Sequence, residues 1–495
     1  AIIDEAVDET NYHARVCDML YNNYYYLFIY EIFEDVRLVG APPESVGKFG
    51  GDTDNWMWPR HTGDFSMFRV YCAPDGSPAE YSPDNRPYNP KHFLPISLDG
   101  YKEGDFAFVM GYPGSTSRYI SSWETLYTID ANNTRINVRT AKQNIWSEYM
   151  NADEKTRLQY ASKFAMSSNY WKYSIGQNKS LNRLHIIEHK QEIERDFSAW
   201  VEQDADRKAK YGEALSLIKK GVEDNWQANR ASDYMIESQY LGCEAFRFAV
   251  RHLSLVQLLS DTDTDPSELE ISQAKFSGIS ADFFKDYNPD IDKRTTKTMI
   301  KMFIKEVDPK FYPDYITSKI QGKYKGNVDK FVDDLFAKSM FCNQAKYTSF
   351  INNINLKAIA KDPIFEVCNS LYNQLMIFYD INNNGDLLQS EGMRLFVDGL
   401  MKMQPDKQFS PDANSTMRLT YGTVRGYKGA DATTYDYFTT LDGVMEKEDS
   451  TNREFIVPQK LKQIYKAKDY GRYGNADGSF NVCFTTTNDI TGGNS

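Results

Sequence analysis

Hydrophobic and polar positions change period twice along this chain. In the opening stretch, apolar residues come in short runs broken by turn formers. Residues 13–21, an Asn22-Asn23 turn and residues 24–38 read as strand, turn, strand. Residues 65–72 and 106–111 continue the pattern, the latter closed by Tyr112-Pro113-Gly114. The run 24–30, aromatic and β-branched, predicts a buried strand. From about Ser117 the period becomes helical. Ile186, Ile193, Phe197 and Trp200 fall on one face, and Phe246, Val250, Leu253 and Val256 repeat the spacing. The acidic stretch 261–266 reads as a loop and helix start. Strands return after Gln404-Pro405-Asp406, most clearly at 417–421 and 480–485. The order β, long α, β predicts an α+β chain with segments 1–116, 117–403 and 404–495, a β domain interrupted by an all-α insert.

A chain of 495 residues is too long for one core. Hydrophobic content of 41% and charged content of 25% suit a folded protein, and no apolar run approaches the roughly 20 residues of a membrane span. The net charge of −12 and the scatter of the basic residues argue against nucleic acid as a partner. Six cysteines lie far apart with no CxxC pair, which argues against a metal cage or a dense disulfide framework and leaves one or two bridges open. The sequence begins Ala1-Ile2-Ile3 and stops at Ser495, so both ends are expected to be cut.

Two stretches carry candidate chemistry. Residues 47–65 read Gly-Lys-Phe-Gly-Gly-Asp-Thr-Asp-Asn-Trp-Met-Trp-Pro-Arg-His-Thr-Gly-Asp-Phe, a loop of costly residues leading into a strand. Asp64 stands at its end, where a triad aspartate would be fixed and sheltered; by itself a Gly-Asp pair reads as a turn. The final Thr491-Gly492-Gly493-Asn494-Ser495 has the small residues that precede a serine nucleophile, with the Gly493 and Ser495 amides as oxyanion donors. Asp64 precedes Ser495, as in the order His, Asp, Ser, and the long separation matches the helical insert.

These residues resemble a known family. Residues 55–65, together with 36–43 (Val-Arg-Leu-Val-Gly-Ala-Pro-Pro), 411–422 (Pro-Asp-Ala-Asn-Ser-Thr-Met-Arg-Leu-Thr-Tyr-Gly) and 485–495, are similar to the signatures of the bacterial dipeptidyl-peptidase 7 and 11 family. The motifs are long, in order and spread over nearly the whole sequence, about the middle two-thirds of a full-length member. The resemblance implies a chymotrypsin-like double β-barrel, incomplete here, interrupted by a helical cap domain. It implies a serine exopeptidase that removes dipeptides from free N-termini, without cofactor or metal, secreted to the periplasm or cell surface and homodimeric. By motif match Asp64 is the triad aspartate and Ser495 the nucleophile, while Asn55, the Trp56 backbone and Asn169 hold the substrate's α-amino group. Neutral amide and carbonyl oxygens suit an ammonium. By itself Asn169 reads as a polar residue on a helix surface.

Some features depart from that pattern. The family's catalytic histidine lies upstream, and of six histidines only His13 and His61 precede Asp64. His13 lacks the motif, and His61 is expected to orient the loop through hydrogen bonds. His92, His185, His189 and His252 read as surface or helix-packing residues. These residues alone are therefore expected to be inactive, with sheet edges and apolar surface exposed. Residues 380–391 also fit an EF-hand template, with Asp380, Asn382 and Asn384 at alternate places, Gly385 sixth and Glu391 twelfth. Leu388 in the ninth place supplies no side-chain ligand and no second loop occurs, so an Asn-rich hairpin between helices is the competing expectation. The alternatives to the exopeptidase are an endo-acting protease of the same fold and a non-enzymatic helical peptide- or calcium-binding protein.

Overall fold

A computed structural model describes residues 2–8, 10–261 and 265–490, with the side chain of residue 266 also left aside. Helix makes up 57% and strand 11% of the chain, placing it in the α+β class. The fold divides into two compact units, one of Ala1–Tyr119 with Pro405–Ser495 and one of Ile120–Gln404.

Among the described residues, the strands all belong to the first unit. β1 (His13–Met19) and β2 (Tyr24–Tyr30) form a hairpin with His13 opposite Tyr30 and Met19 opposite Tyr24. Its turn puts Leu20, Tyr21 and Asn22 at φ of 53°, 56° and 62°. The stretch 24–38, expected as one strand, breaks after Tyr30, and β3 (Val36–Gly40) pairs instead with β4 (Met67–Cys72), which pairs with β5 (Arg86–Pro87). The expectation that 24–30 is buried fails: Tyr25 is 63% and Ile29 50% exposed. Aromatic and β-branched composition favours a pleated strand locally, but burial needs a covering layer, and the described residues supply none here.

β6 (Phe106–Gly111) pairs antiparallel with β7 (Arg418–Thr423), so the two chain segments share one ladder. β8 (Tyr427–Ala430) pairs with β9 (Thr433–Tyr435), and β10 (Phe438–Thr440) with β11 (Asn481–Phe484). Among the described residues the strands make four two-stranded pairs and one three-stranded sheet. Where the chain leaves this unit and returns, the Tyr119 hydroxyl donates to Ser410 O at 2.7 Å, and the Asp412 carboxylate accepts from Thr116 Oγ1 at 2.6 Å and Arg118 N at 2.8 Å. The described cysteines are all unpaired.

The second unit is helical. α1 (Ser122–Ala152) starts at a capping box, in which Ser121 and Glu124 satisfy each other's backbone N–H groups. It packs along α2 (Glu154–Arg183) through a polar seam, with Arg139 donating to Ser167 O and Trp171 Nε1 to Thr140 Oγ1. α3 (Ala214–Met235) lies against the 41-residue α6 (Pro363–Met403), and α4 (Glu244–Val250) and α5 (Pro289–Glu306) complete the core around Phe246, Phe303, Phe341 and Phe378. The expected stripe from Phe246 to Val256 is split after Val250, before a further helix, Leu253–Ser260. The buried His252 sits between them, its Nε2 2.5 Å from the Tyr347 hydroxyl.

Neither expectation for 380–391 holds, because the whole stretch is α6. At about 100° per residue, Asp380 and Asn384 share one face of the helix while Asn382 lies on the opposite one, so the three cannot converge on one cation. Asn382 is buried and donates to Asn229 Oδ1 at 2.7 Å. Gly385 allows close helix packing here rather than a sharp turn: a Cβ there would lie 2.2 Å from Asn225 Oδ1, and one on Gly221 would lie 2.4 Å from Gly385 O.

Two outcomes follow from this crossing. Millimolar Ca²⁺ is expected to leave the thermal melting curve unmoved; a rise in melting temperature that Glu391→Gln abolishes would contradict the helix. Gly385→Ala gains up to about 1 kcal/mol of helix propensity but must displace Asn225, whose Nδ2 donates to Asn382 O and Asp386 Oδ1. Overpacking of this kind costs about 1–3 kcal/mol, so net destabilisation of up to about 2 kcal/mol is expected by urea unfolding. A stabilised variant would show that α3 and α6 are not in this contact.

Candidate active site

The loop 47–65 runs from the short helix Glu44–Gly47 towards β4 and is held by groups far along the chain. At its start Phe49 is buried among Leu441, Val444, Val457 and Tyr470, and its carbonyl accepts from Thr62 Oγ1 at 2.8 Å. Gly50 and Gly51 follow with φ of 86° and 42°. Both need to be glycine for space as well: a Cβ on Gly50 would lie 2.4 Å from Asp54 Oδ2, and one on Gly51 2.4 Å from Glu454 Oε1.

Glu454 is the first anchor. Its Oε1 accepts from Asp52 N at 2.8 Å, and its Oε2 accepts from Thr53 N at 3.2 Å and Thr53 Oγ1 at 2.6 Å. Its backbone carbonyl accepts from Gly50 N at 2.8 Å. Lys447 is the second anchor, its Nζ donating to Asp54 Oδ2 at 2.8 Å and to Pro59 O at 3.0 Å. Thr439 Oγ1 donates to Arg60 O at 2.6 Å, and Cys483 Sγ to Thr62 O at 3.2 Å. Between the anchors the tip turns back on itself, with Met57 N donating to Asp54 O at 3.0 Å.

The tip carries Asn55, half-buried, and Trp56, 40% exposed with φ of 60°, and it includes a cis Trp58-Pro59 bond. Asp64 stands in an extended segment before β4. It is exposed rather than sheltered, and its carboxylate joins no hydrogen bond or ion pair among the described residues. The strand begins only at Met67, so Asp64 is not yet part of a ladder that would enclose it. Gly493 and Ser495 lie outside the described residues. The segment before them is laid along β7: Thr487 N donates to Thr423 O at 3.0 Å and Asn488 Nδ2 to Thr420 O at 3.0 Å. Asn169 belongs to the helical unit, half-buried on α2 between the buried Ser168 and the exposed Tyr170. His13 is an exposed residue of β1.

His61 holds the loop differently from expectation. It is buried, and its Nδ1 has no hydrogen-bond partner among the described residues. The ring packs on the backbone of Gly443, where a Cβ would lie 2.0 Å from Nε2. The imidazole therefore anchors by packing. Burial, reinforced by the Lys447 ammonium and opposed by Asp54, lowers its pKa to about 4, so it is neutral near pH 7. A buried, neutral ring pressed against a helix backbone is poorly placed to serve as a general base.

Sequence reasoning missed Glu454, Lys447, Thr439 and Gly443. No local pattern marks them, since Glu454 meets its partner Asp52 across 402 positions of sequence.

A peptidase S46 family model matches residues 1–495. A dipeptidyl-peptidase 7 of Porphyromonas gingivalis is 42% identical over 480 residues, covering 96% of this chain and 65% of the relative. An Asp/Glu-specific dipeptidyl-peptidase of the same organism is 38% identical over 483 residues, covering 96% of this chain and 65% of the relative. The crystal structure of Porphyromonas endodontalis DPP11 in complex with the dipeptide Arg-Glu is similar at a TM-score of 0.85 and 34% identity, over 98% of this chain and 69% of that one. The chain thus spans about two-thirds of the length of these relatives.

The lowered His61 pKa predicts a pH effect on stability. An unfolded-state histidine takes its proton near 6.5 and the folded one near 4, so the unfolded chain gains protons first as the pH falls. His61's contribution is complete above about pH 6.5 and lost progressively towards pH 4, at up to about 1.4 kcal/mol per pH unit. The buried His252, also lowered to about 4, acts in the same direction and stays constant when wild type is compared with His61→Gln. Urea unfolding at pH 7.5 and pH 5 is expected to show the gap between the two proteins shifting in favour of the variant at the lower pH. A gap independent of pH would mean that His61 is not buried in neutral form.

Proposed function

Because this chain belongs to the peptidase S46 family, we propose that the protein is a serine exopeptidase releasing dipeptides from the free N-terminus of peptides. The observation that carries this is the match to proteins named as dipeptidyl peptidases over 96% of the chain. The signature loop agrees with it, since it presents Asn55 and Trp56 on a tip whose base is buried and braced.

In this reading the strands contribute to a double β-barrel, and the Ser495 hydroxyl attacks the carbonyl of the second residue. An imidazole takes the proton, Asp64 holds that imidazole in one tautomer, and the amides of Gly493 and Ser495 stabilise the oxyanion. That imidazole is not assigned to His61, whose ring is buried and neutral near pH 7. Asn55, the Trp56 carbonyl and Asn169 accept from the substrate's ammonium, which sets the cut two residues in. The reading includes a homodimer exported to the periplasm or cell surface. The helical calcium-binding alternative loses its ground, because its loop is part of α6.

The test uses the full-length protein and dipeptidyl reporter amides. A free amine is expected to permit cleavage and N-acetylation to abolish it. Ser495→Ala should lose several orders of magnitude in kcat, and Asp64→Asn about 10⁴-fold. Equal cleavage of blocked substrates would establish an endo-acting enzyme. Undiminished activity of Ser495→Ala would remove the serine mechanism.

A further inference from the structure

We propose that Lys447 and Glu454 are positioning residues for the amine subsite, acting through Asn55 and Trp56 rather than touching substrate; this rests on the reading of those two residues as ammonium acceptors. The geometry is that of a staple at each end of a short tip. Lys447 bridges the Asp54 carboxylate and the Pro59 carbonyl, the two ends of the turn that carries Asn55 and Trp56. Glu454 fixes the approach to that turn by accepting from the successive N–H groups of Asp52 and Thr53.

Three features separate this from an ordinary surface contact. The Lys447–Asp54 pair is largely withdrawn from water, with side-chain exposures of 27% and 12%, so it is weakly screened. The turn it bridges carries a conformational cost, because it follows two left-handed glycines and contains Trp56 at φ of 60°. The charge balance also matters. Lys447 neutralises Asp54 one residue from Asn55, so the tip offers an ammonium neutral oxygens in fixed directions instead of a mobile carboxylate. An ammonium has three donors on one small centre, and displacing an acceptor by about 1 Å can cost about 10²-fold in such a site.

In the full-length enzyme, Lys447→Met and Glu454→Gln are each expected to raise KM for a free-amine dipeptidyl reporter about tenfold or more, with kcat changed less than about threefold. Lys447→Arg, which keeps a donor to both oxygens, should recover most of the loss. The decisive comparison is a double-mutant cycle with Asn55→Ala, in which Lys447→Met should add little further increase in KM because both act on one contact. Additive effects, or an unchanged KM in a cooperatively melting variant, would overturn the inference. If Lys447→Met does not fold, Glu454→Gln in the same cycle decides. If Asn55→Ala itself leaves KM unaltered while wild type still releases dipeptides, the amine-subsite reading fails and takes this inference with it. A wild type that releases no dipeptide would fault the proposed activity at its root.

Discussion

The backbone N–H groups of Asp52 and Thr53 find their acceptor outside their own loop. The Glu454 carboxylate takes both, and the Glu454 carbonyl takes that of Gly50. A charged acceptor serving several backbone donors is a strong hydrogen-bonding arrangement. The rest of the first unit can be read outward from this point. Phe49 is driven into the apolar cluster of Leu441, Val444 and Val457, which brings the short helix Leu441–Glu446 against His61. Lys447, just beyond that helix, then reaches Asp54 and Pro59. One loop is thereby fixed by residues that the chain supplies only after it has built an entire second unit.

That second unit solves its own problem by close helix contact. Gly221 and Gly385 bring α3 and α6 together backbone to backbone, and Asn225 fills the remaining space with hydrogen bonds to Asn382 and Asp386. Arg139 and Glu237 pair through two hydrogen bonds in the interior, at 2.8 and 3.0 Å, and Arg135 joins the same carboxylate at 3.1 Å. The buried Glu237 carboxylate, shared by these two guanidinium groups of α1, ties its own segment to that helix. The ladder β6–β7 and the contacts of Asp412 with Thr116 and Arg118 hold the exit and return of the chain together within the first unit. Its strands therefore pair across the insert as though the chain were continuous.

What could be read from the sequence was local. The change to a helical period near Ser117 precedes α1 by a few residues, and the return of strands after Gln404 precedes β7. Hairpin chemistry at Asn22-Asn23 was visible because turn residues act on their own backbone. The EF-hand match misled because a template of oxygen atoms takes no account of backbone conformation. The same Asp, Asn and Gly residues that would wrap a cation in a loop are dispersed when the backbone is helical, and here Gly385 serves helix packing. Burial of 24–30 misled for a related reason: strand formation is decided by neighbours along the chain, but burial is decided by what covers the sheet.

The candidate site divides along the same line. The loop 47–65 stood out because it is rich in residues with a conformational cost, Asp64 stood out by its place at the loop's end, and Asn55 and Trp56 were singled out by the family resemblance. The groups that offset this cost did not stand out, because an anchoring lysine or glutamate looks like any other exposed one until its partner is known. Yet the glycines carried an indirect trace of them. Gly51 must lack a side chain because the Glu454 carboxylate occupies that space, and Gly443 must lack one because His61 does. Gly443, which no left-handed φ requires, thus points to a close neighbour from elsewhere in the chain. In this loop those neighbours turn a strained backbone into a rigid platform.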